Sequence, residues 1–246
     1  MRKVLVIGMG AGDPEHMTVQ GIRALNALDV LFVLRKADEH AELVALRQEI
    51  VRRYVSSGGP RVLTVDDPVR GRGPAAVADW RRRRAEVLER LIGSLGEGET
   101  GGFLVWGDPS LYDGTLGVLE TVLARGEVAF EYSVVPGITS VSALAAAHRV
   151  AVNRVGGAVQ LTTGRRLAAG LPEGVDDVVV MLDGEQAFMA VDEDVDVLWG
   201  AYLGMPDQIL LSGRLAEVRD EIARVRREAR ERKGWMFDTY LLRRRD

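Results

Sequence analysis

The stretch Gly101–Thr115, with the sequence GGFLVWGDPSLYDGT, decides the fold that we predict for this chain. Its apolar run Phe103–Trp106 is too short for a helix and has glycine on both sides, which is typical of a buried strand in a parallel sheet. Gly107-Asp108-Pro109 follows, and the chain must turn there because proline cannot continue strand pairing. Ligands of open α/β sheets bind at the carboxyl ends of the strands. The stretch therefore predicts a central strand that leads into a ligand site.

The beginning of the chain repeats this pattern. Lys3–Ile7 predicts a strand, Gly8–Pro14 (GMGAGDP) a glycine-rich turn, and Glu15–Leu28 an amphipathic helix. The turn does not match the dinucleotide-binding fingerprint, because Asp13 stands where that fingerprint needs its sixth-position glycine. A carboxylate there would repel a pyrophosphate but suits a cationic or hydroxyl-bearing ligand. An ordinary strand-to-helix turn is the alternative.

The pattern of predicted elements changes near the middle of the chain. Up to residue 136 short strands alternate with helices, which predicts right-handed βαβ units and a parallel sheet. After Pro136-Gly137 the strands follow one another, with a single long helix at Leu215–Glu231. We therefore expect an α/β domain over residues 1–136 and an α+β domain over residues 137–246.

Composition excludes several classes of protein. The 246 residues are 47% hydrophobic with a net charge of −4, which is ordinary for a globular protein and gives no indication of nucleic-acid binding. No run approaches the roughly 20 apolar residues that cross a bilayer, and the apolar run at the start is too short for a signal peptide. The absence of cysteine excludes disulfides and thiolate chemistry, and His16, His40 and His148 are scattered. We expect a soluble, cytoplasmic protein without membrane, nucleic-acid or metal partners.

Two kinds of arginine cluster are present. Arginines on the charged helix are interpreted as a solvated face, namely Arg226, Arg227, Arg230 and Arg232. Others stand in glycine-rich, loop-like segments, where a fork-shaped cation more often binds a carboxylate or phosphate. These candidate anion-binding residues are Arg70, Arg72, Arg165 and Arg166.

Together these motifs resemble the tetrapyrrole methylase family. The matching segments are the glycine-rich opening Gly8–Thr18, the turn Gly107–Tyr112 and the stretch Val135–Ser140 (VPGITS), in the family's order. The resemblance implies a homodimer of two-domain subunits that bind S-adenosylmethionine in the cleft between an α/β and an α+β domain and release S-adenosylhomocysteine. Two departures are Ala11, where many members have proline, and Leu34, where some uroporphyrinogen-methylating members have aspartate. That branch's acid/base proposal therefore does not transfer.

Further segments resemble one branch of the family, whose members methylate C1 of precorrin-5 and release its acetyl group as acetate on the oxygen-dependent route to cobalamin. The branch implies an anionic tetrapyrrole substrate. Rival interpretations are another precorrin methylase, a diphthine synthase, a ribosomal RNA ribose methylase or, in a different class, a non-catalytic nucleotide-binding module. The segments are Leu104–Asp113, Thr162–Leu167, Val180–Gly184, Trp199–Gly204 and Gly234–Arg244.

The resemblance also implies a set of donor-binding residues. Asp108 is expected to face the ligand and not the core, so that Asp108→Ala would weaken donor binding more than it destabilises the fold. A helix cap is the alternative for Asp108, and plain core packing is the alternative for Met181. The implied set is Gly8, Gly10, Ala11, Trp106, Gly107, Asp108, Leu111, Tyr112, Thr139, Ser140, Met181 and Ala201.

Release of an acetyl group requires a general base that activates water. Polar residues near the predicted ligand-binding loops are Tyr112, Asp113, His148 and Asp183, of which we favour the first three as catalytic candidates. Each has a structural alternative: Tyr112 as packing, Asp113 as a helix cap, and His148 as a helix-end residue that interacts with the dipole.

Overall fold

The computed structural model describes residues 1–35, 41–56, 58–71 and 73–245. The chain divides into two compact units, Met1–Ile138 and Thr139–Asp246. The boundary predicted from the sequence, after Pro136, lies just before this division.

The first unit is built on a parallel sheet of five strands in the order β3-β2-β4-β1-β5. The middle strand, β4, pairs with β1 on one side and β2 on the other, which confirms the prediction of a central strand in Gly101–Thr115. The carboxyl ends of β1, β4 and β5 are therefore neighbours. The strands are β1 (Arg2–Gly8), β2 (Val30–Arg35), β3 (Arg61–Asp66), β4 (Thr100–Val105) and β5 (Phe130–Val135).

Helices cover both faces of this sheet, because successive strand residues point to opposite sides. Val4 and Val6 belong to one buried cluster, and Ile7 belongs to the other. Gly102 in β4 leaves room for a neighbouring side chain, since a Cβ atom there would lie 2.6 Å from Leu28. The helices are α1 (Val19–Asn26), α2 (Ala41–Tyr54), α3 (Pro74–Gly93) and α4 (Thr115–Arg125).

The single helix predicted at Glu15–Leu28 is wrong in one respect, because the structure divides it. A 3₁₀ turn at Pro14–His16 comes first, with the Asp13 side chain accepting a hydrogen bond from the Glu15 amide at 2.8 Å. Thr18 then starts α1 by accepting from the Gly21 amide at 2.9 Å. Two N-terminal caps in close succession therefore produce two short elements.

The second unit contains a mixed sheet of five strands in the order β6-β7-β10-β8-β9. Only the β6–β7 pair is parallel, and the other three pairs are antiparallel. This confirms the α+β pattern of consecutive strands. The elements are α5 (Ser140–His148), β6 (Val159–Thr163), α6 (Gly164–Leu167), β7 (Asp177–Met181), β8 (Val195–Ala201), β9 (Ile209–Arg214), α7 (Leu215–Lys233) and β10 (Asp238–Arg244).

Helices α5 and α7 pack on this sheet, α5 against β10 and β8, and α7 against β9 and β8. Large aromatic side chains fill its core, and Trp199 and Tyr240 are almost completely buried. Unlike the solvated face predicted for it, α7 also buries Arg226, which is only 5% exposed.

Candidate functional site

Three glycine turns meet at the carboxyl edge of the parallel sheet. Gly10, after β1, forms an antiparallel bridge with Gly107, after β4, through N–O distances of 3.2 and 2.9 Å. A Cβ atom on Gly8 would lie 2.6 Å from the Gly137 nitrogen and 2.8 Å from the Gly107 oxygen. No side chain fits between these backbones, so the turns after β1, β4 and β5 form one continuous edge. The structure therefore brings together Gly8, Gly10 and Gly107 of the predicted donor-binding set.

Asp108 joins two of these turns. One carboxylate oxygen accepts from the Ser110 amide at 2.8 Å and from the Ser110 hydroxyl, and the other accepts from the Gly137 amide at 2.8 Å. Burial alone would raise the pKa of Asp108, but the hydrogen bonds from Ser110 and Gly137 outweigh burial and lower it. The side chain is only 7% exposed. The expectation that this carboxylate faces a ligand and not the protein interior is therefore wrong.

The open side of the edge lies at Gly107. Its φ of +66° suits glycine, and a Cβ atom built there meets nothing within 4 Å. Tyr112, at a φ of +54°, is 46% exposed, whereas Ala11 is nearly buried and Trp106 and Leu111 are half-buried. A ligand can therefore approach the Gly107 backbone directly, as the predicted donor contact requires.

Two of the catalytic candidates, Asp113 and His148, form hydrogen bonds with different parts of the protein. Asp113 accepts from the Thr115 amide at 2.7 Å directly before α4, although the N-cap residue of that helix is Gly114. His148, the last residue of α5, places its Nε2 atom 3.0 Å from the Trp199 carbonyl oxygen. Because a carbonyl only accepts, this contact needs a proton on Nε2, so Nδ1 is the acceptor nitrogen of the neutral ring.

In the second unit, predicted donor residues gather at one edge of the mixed sheet. Met181 in β7 and Gly200 in β8 both pair with Thr239 of β10. The Thr239 hydroxyl donates to the Ser140 hydroxyl oxygen at 3.1 Å. Ser140 and Met181 thus lie together at this edge.

Two other donor residues predicted in this unit have structural contacts of their own. Thr139 caps α5 by accepting from the Ser142 amide at 3.1 Å. Ala201 pairs with Asp238 and is fully buried. Its side chain is therefore part of the core, whatever its backbone contacts.

A buried polar network that no sequence pattern indicated lies beside this edge. The Arg226 guanidinium donates to the Asp238 carboxylate at 2.9 Å and to the Asp183 carbonyl at 2.6 Å. Tyr240 donates to the Asp183 carboxylate at 2.6 Å, and the Trp199 indole donates to Asp238 at 3.0 Å. Burial raises the pKa of Asp238 although Arg226 acts in the opposite direction. Asp183, which we considered as a polar candidate, is therefore a structural anchor.

The candidate anion-binding arginines have different surroundings. Arg165 and Arg166 are exposed, and their side chains form no ion pair with any residue that the structure describes. The Arg70 guanidinium lies 5.3 Å from the centre of the Trp80 ring, and Trp80 donates to the Pro68 carbonyl at 2.9 Å. Arg72 lies outside the described residues.

The described part of the chain lacks both a membrane-crossing helix and a cluster of metal ligands. No helix there has the length and apolar character that crossing a membrane requires. Over the same residues, no three histidine, cysteine or acidic side chains lie together as metal ligands would.

Comparisons with known proteins identify the family of this chain. The family model of the Tetrapyrrole (Corrin/Porphyrin) Methylases matches residues 3–219. The chain is 51% identical to a Sinorhizobium protein named Precorrin-6A synthase [deacetylating], over 99% of this chain and 95% of that protein.

Solved structures extend the likeness to the fold. A cobalamin synthesis related protein, CobF, from Corynebacterium diphtheriae is 37% identical and superposes with a TM-score of 0.88 over 100% of both chains. A uroporphyrin-III C-methyltransferase from Thermus thermophilus, complexed with S-adenyl homocysteine, shares the fold at 20% identity and a TM-score of 0.61, over 98% of this chain and 96% of that one. The chain thus belongs to the tetrapyrrole (corrin/porphyrin) methylases.

Proposed function

We propose that this protein is an S-adenosylmethionine-dependent C-methyltransferase of cobalamin biosynthesis that methylates C1 of precorrin-5 and releases acetate, giving precorrin-6A. The observation that carries this proposal is the 51% identity to the Sinorhizobium enzyme along nearly the whole of both chains. The motifs that resemble this branch, such as Leu104–Asp113 and Gly234–Arg244, lie in both units.

The glycine edge fits a methyl donor. Gly107 presents backbone with open space in front of it, so a bound molecule can contact main-chain groups without meeting a side chain. The donor supplies a methyl group already activated by its sulfonium sulfur. This chain's residues then have to bind and orient the reactants and exclude water, which accounts for several powers of ten in rate. We assign the donor contacts to the twelve residues named from the sequence, with Asp108 and Ala201 acting only through their backbone.

We assign recognition of the substrate's carboxylates to the exposed arginines. Precorrins carry acetate and propionate groups, whereas the protein has a net charge of −4, so local positive charge has to outweigh the overall sign. Arg165 and Arg166 are exposed and form no ion pair within the described residues. We assign them, together with Arg70 and Arg72, to the substrate carboxylates.

Release of acetate requires water to add to the acetyl carbonyl carbon while a base takes the water proton. The carbon–carbon bond to the ring then breaks, and its electron pair stays with the ring. Among Tyr112, Asp113 and His148 we favour His148, because its Nε2 bond to Trp199 leaves Nδ1 able to accept a proton. Asp113 already accepts a hydrogen bond from the Thr115 amide through one oxygen.

We further propose that the enzyme works in the cytoplasm as a homodimer, with its α/β domain over residues 1–136 and its α+β domain over residues 137–246. The absence of cysteine is compatible with that compartment, and the family resemblance supports the dimer.

Calorimetry with S-adenosylhomocysteine and, separately, with NAD(P) tests the class of protein. We expect binding of S-adenosylhomocysteine alone; binding of the dinucleotide alone would contradict a methyltransferase. Turnover of precorrin-5 but not precorrin-4 with labelled donor then tests the substrate. Methylation of precorrin-4 only would assign the chain to a sibling activity.

A further inference from the structure

The loop that follows β3, residues 67–71, is fastened to helix α3. The Trp80 indole donates to the Pro68 carbonyl at 2.9 Å. The Arg84 guanidinium lies 3.1 Å from the Asp67 carboxylate, whose side chain is only 3% exposed. Two side chains of one helix therefore hold the backbone of this loop before any ligand binds, so little entropy is lost when the loop takes part in binding.

This loop begins at the same edge of the parallel sheet as the glycine turns. Strands β3 and β4 both pair in parallel with β2, so their carboxyl ends point the same way. The Arg84 guanidinium, which contacts the start of the loop, also approaches the end of the turn after β4, because its Nη1 atom would lie 3.9 Å from a Cβ atom on Gly114. The loop after β3 and the turn after β4 are therefore neighbours.

Arg70, inside this loop, has a positive charge that no carboxylate of the described residues neutralises. Its exposed side chain forms no hydrogen bond or ion pair with any residue that the structure describes. The two carboxylates that precede it in the sequence have other partners, since Asp66 pairs with Arg35 at 2.6 Å and Asp67 pairs with Arg84. The N–H donors of the Arg70 guanidinium are therefore open to a ligand.

Trp80 restricts the position of this cation. The centre of its ring lies 5.3 Å from the Arg70 guanidinium and 5.2 Å from that of Arg84. The face of an indole ring attracts cations, and the bond to Pro68 fixes the orientation of this ring. A long surface side chain loses rotational freedom when it binds a ligand, and Arg70 loses less because Trp80 already restricts it.

We propose that Trp80 is a positioning residue that presents the Arg70 guanidinium to one carboxylate of the tetrapyrrole. This inference rests on the proposed function. A guanidinium binds a carboxylate through two parallel N–H···O bonds, which require a fixed orientation of its plane. The methyl donor has a sulfonium and an ammonium group beside its single carboxylate, so an unneutralised arginine suits the multiply anionic tetrapyrrole better.

Steady-state kinetics with precorrin-5 at low ionic strength separates this role from packing. Trp80→Phe keeps an aromatic face for Arg70, Trp80→Leu keeps only apolar volume, and both lose the bond to Pro68. Trp80→Leu should raise KM about fivefold with kcat and the dissociation constant of S-adenosylhomocysteine nearly unchanged. Trp80→Phe should keep KM within about twofold of wild type. High salt should narrow the difference between the two variants, because it screens exposed charges.

A double-mutant cycle tests whether Trp80 acts through Arg70. Arg70→Ala should raise KM about fivefold or more, and adding Trp80→Leu to it should raise KM no further. Arg82→Ala is the matched control, because it also removes one positive charge, from a side chain of α3 that is paired with Asp79 and Glu86. It should leave KM unchanged.

The outcomes distinguish the inference from the proposed function. If Trp80 only stabilised the fold, Trp80→Leu would lower the melting temperature and would change KM equally with and without Arg70. That result, or equal KM values for the two Trp80 variants, would overturn the inference and leave the proposed function standing. Wild-type protein that does not turn over precorrin-5 would contradict the proposed function, and the inference that rests on it would fail too.

Discussion

Replacing Asp108 by asparagine tests how the glycine edge is held together. The wild-type carboxylate uses one oxygen for the Ser110 amide and the other for the Gly137 amide, both at 2.8 Å. Asparagine keeps only one acceptor oxygen, so its NH₂ group must face either the Ser110 or the Gly137 N–H. If the bond from Gly137 is lost, this side chain no longer links the turn after β4 to the turn after β5. If the bond from Ser110 is lost, the turn after β4 loses its internal hydrogen bond.

The size of the effect follows from burial. A hydrogen bond to a charged group contributes about 1.5–3 kcal/mol, and an N–H left unpaired in a site this buried costs about 1 kcal/mol more. We therefore expect Asp108→Asn to lower the free energy of unfolding by about 3 kcal/mol, or the melting temperature by about 6–12 °C for a chain of this length.

Urea and thermal unfolding at several pH values measure this loss. Asp66→Asn is the control, because the Asp66 side chain is 76% exposed and its ion pair with Arg35 lies at the surface. Since hydrogen bonding lowers the pKa of Asp108, its contribution is present above about pH 4 and is lost as the pH falls through that lowered pKa. The wild-type advantage should therefore stay constant from pH 7 down to about pH 5 and shrink as the pH falls below about 4. Unfolding midpoints equal to those of Asp66→Asn at pH 7 would refute the reasoning.

Three further predictions concern other parts of the molecule. Gly107→Ala should weaken S-adenosylhomocysteine binding in calorimetry by about tenfold or more, because its Cβ atom enters the open space where the ligand approaches. Gly98 also has a positive φ and open surroundings, in an exposed loop, so Gly98→Ala is the control. It should lower stability about as much as Gly107→Ala does and leave the affinity for S-adenosylhomocysteine unchanged. Arg165→Ala or Arg166→Ala should raise KM for precorrin-5 severalfold at low salt and leave S-adenosylhomocysteine affinity unchanged; wild-type KM values would make them a solvated surface pair. Arg226→Met should lower unfolding stability in urea by about 3–5 kcal/mol, because it leaves Asp238 buried without its cation, and a loss below about 1 kcal/mol would contradict a structural ion pair.

Local pattern was enough to predict the architecture. The strand predicted at Lys3–Ile7 is one residue longer at each end, and the predicted run Phe103–Trp106 forms the second half of β4 up to Val105. These elements are short apolar runs bounded by glycine, proline or charge, so the signal is contained in neighbouring residues. The division of the helix predicted at Glu15–Leu28 was missed because the Thr18 cap lies inside an otherwise periodic run.

The site depends on contacts between residues that are far apart in the chain. The local sequence pattern does not predict such contacts. Asp108 and Gly137 are 29 residues apart, and Asp183 and Tyr240 are 57 apart. Arg226 stands in a run of charges that is typical of a solvated face, yet its partner Asp238 belongs to the following strand. Burial of such residues is decided by sheet order, which single-sequence periodicity does not specify. The positive φ of Leu182 likewise has no sequence signal, since leucine rarely adopts it.

The central claim is that one chain couples methylation of precorrin-5 to loss of its acetyl group. The most direct test incubates the wild-type protein with precorrin-5 and S-adenosylmethionine carrying a ¹³C-labelled methyl group, and follows the product and acetate by NMR. We predict that each labelled methyl group appears at C1 and that one acetate is released for each methyl transferred. Label at another carbon, or methylation without acetate, would contradict the proposed reaction.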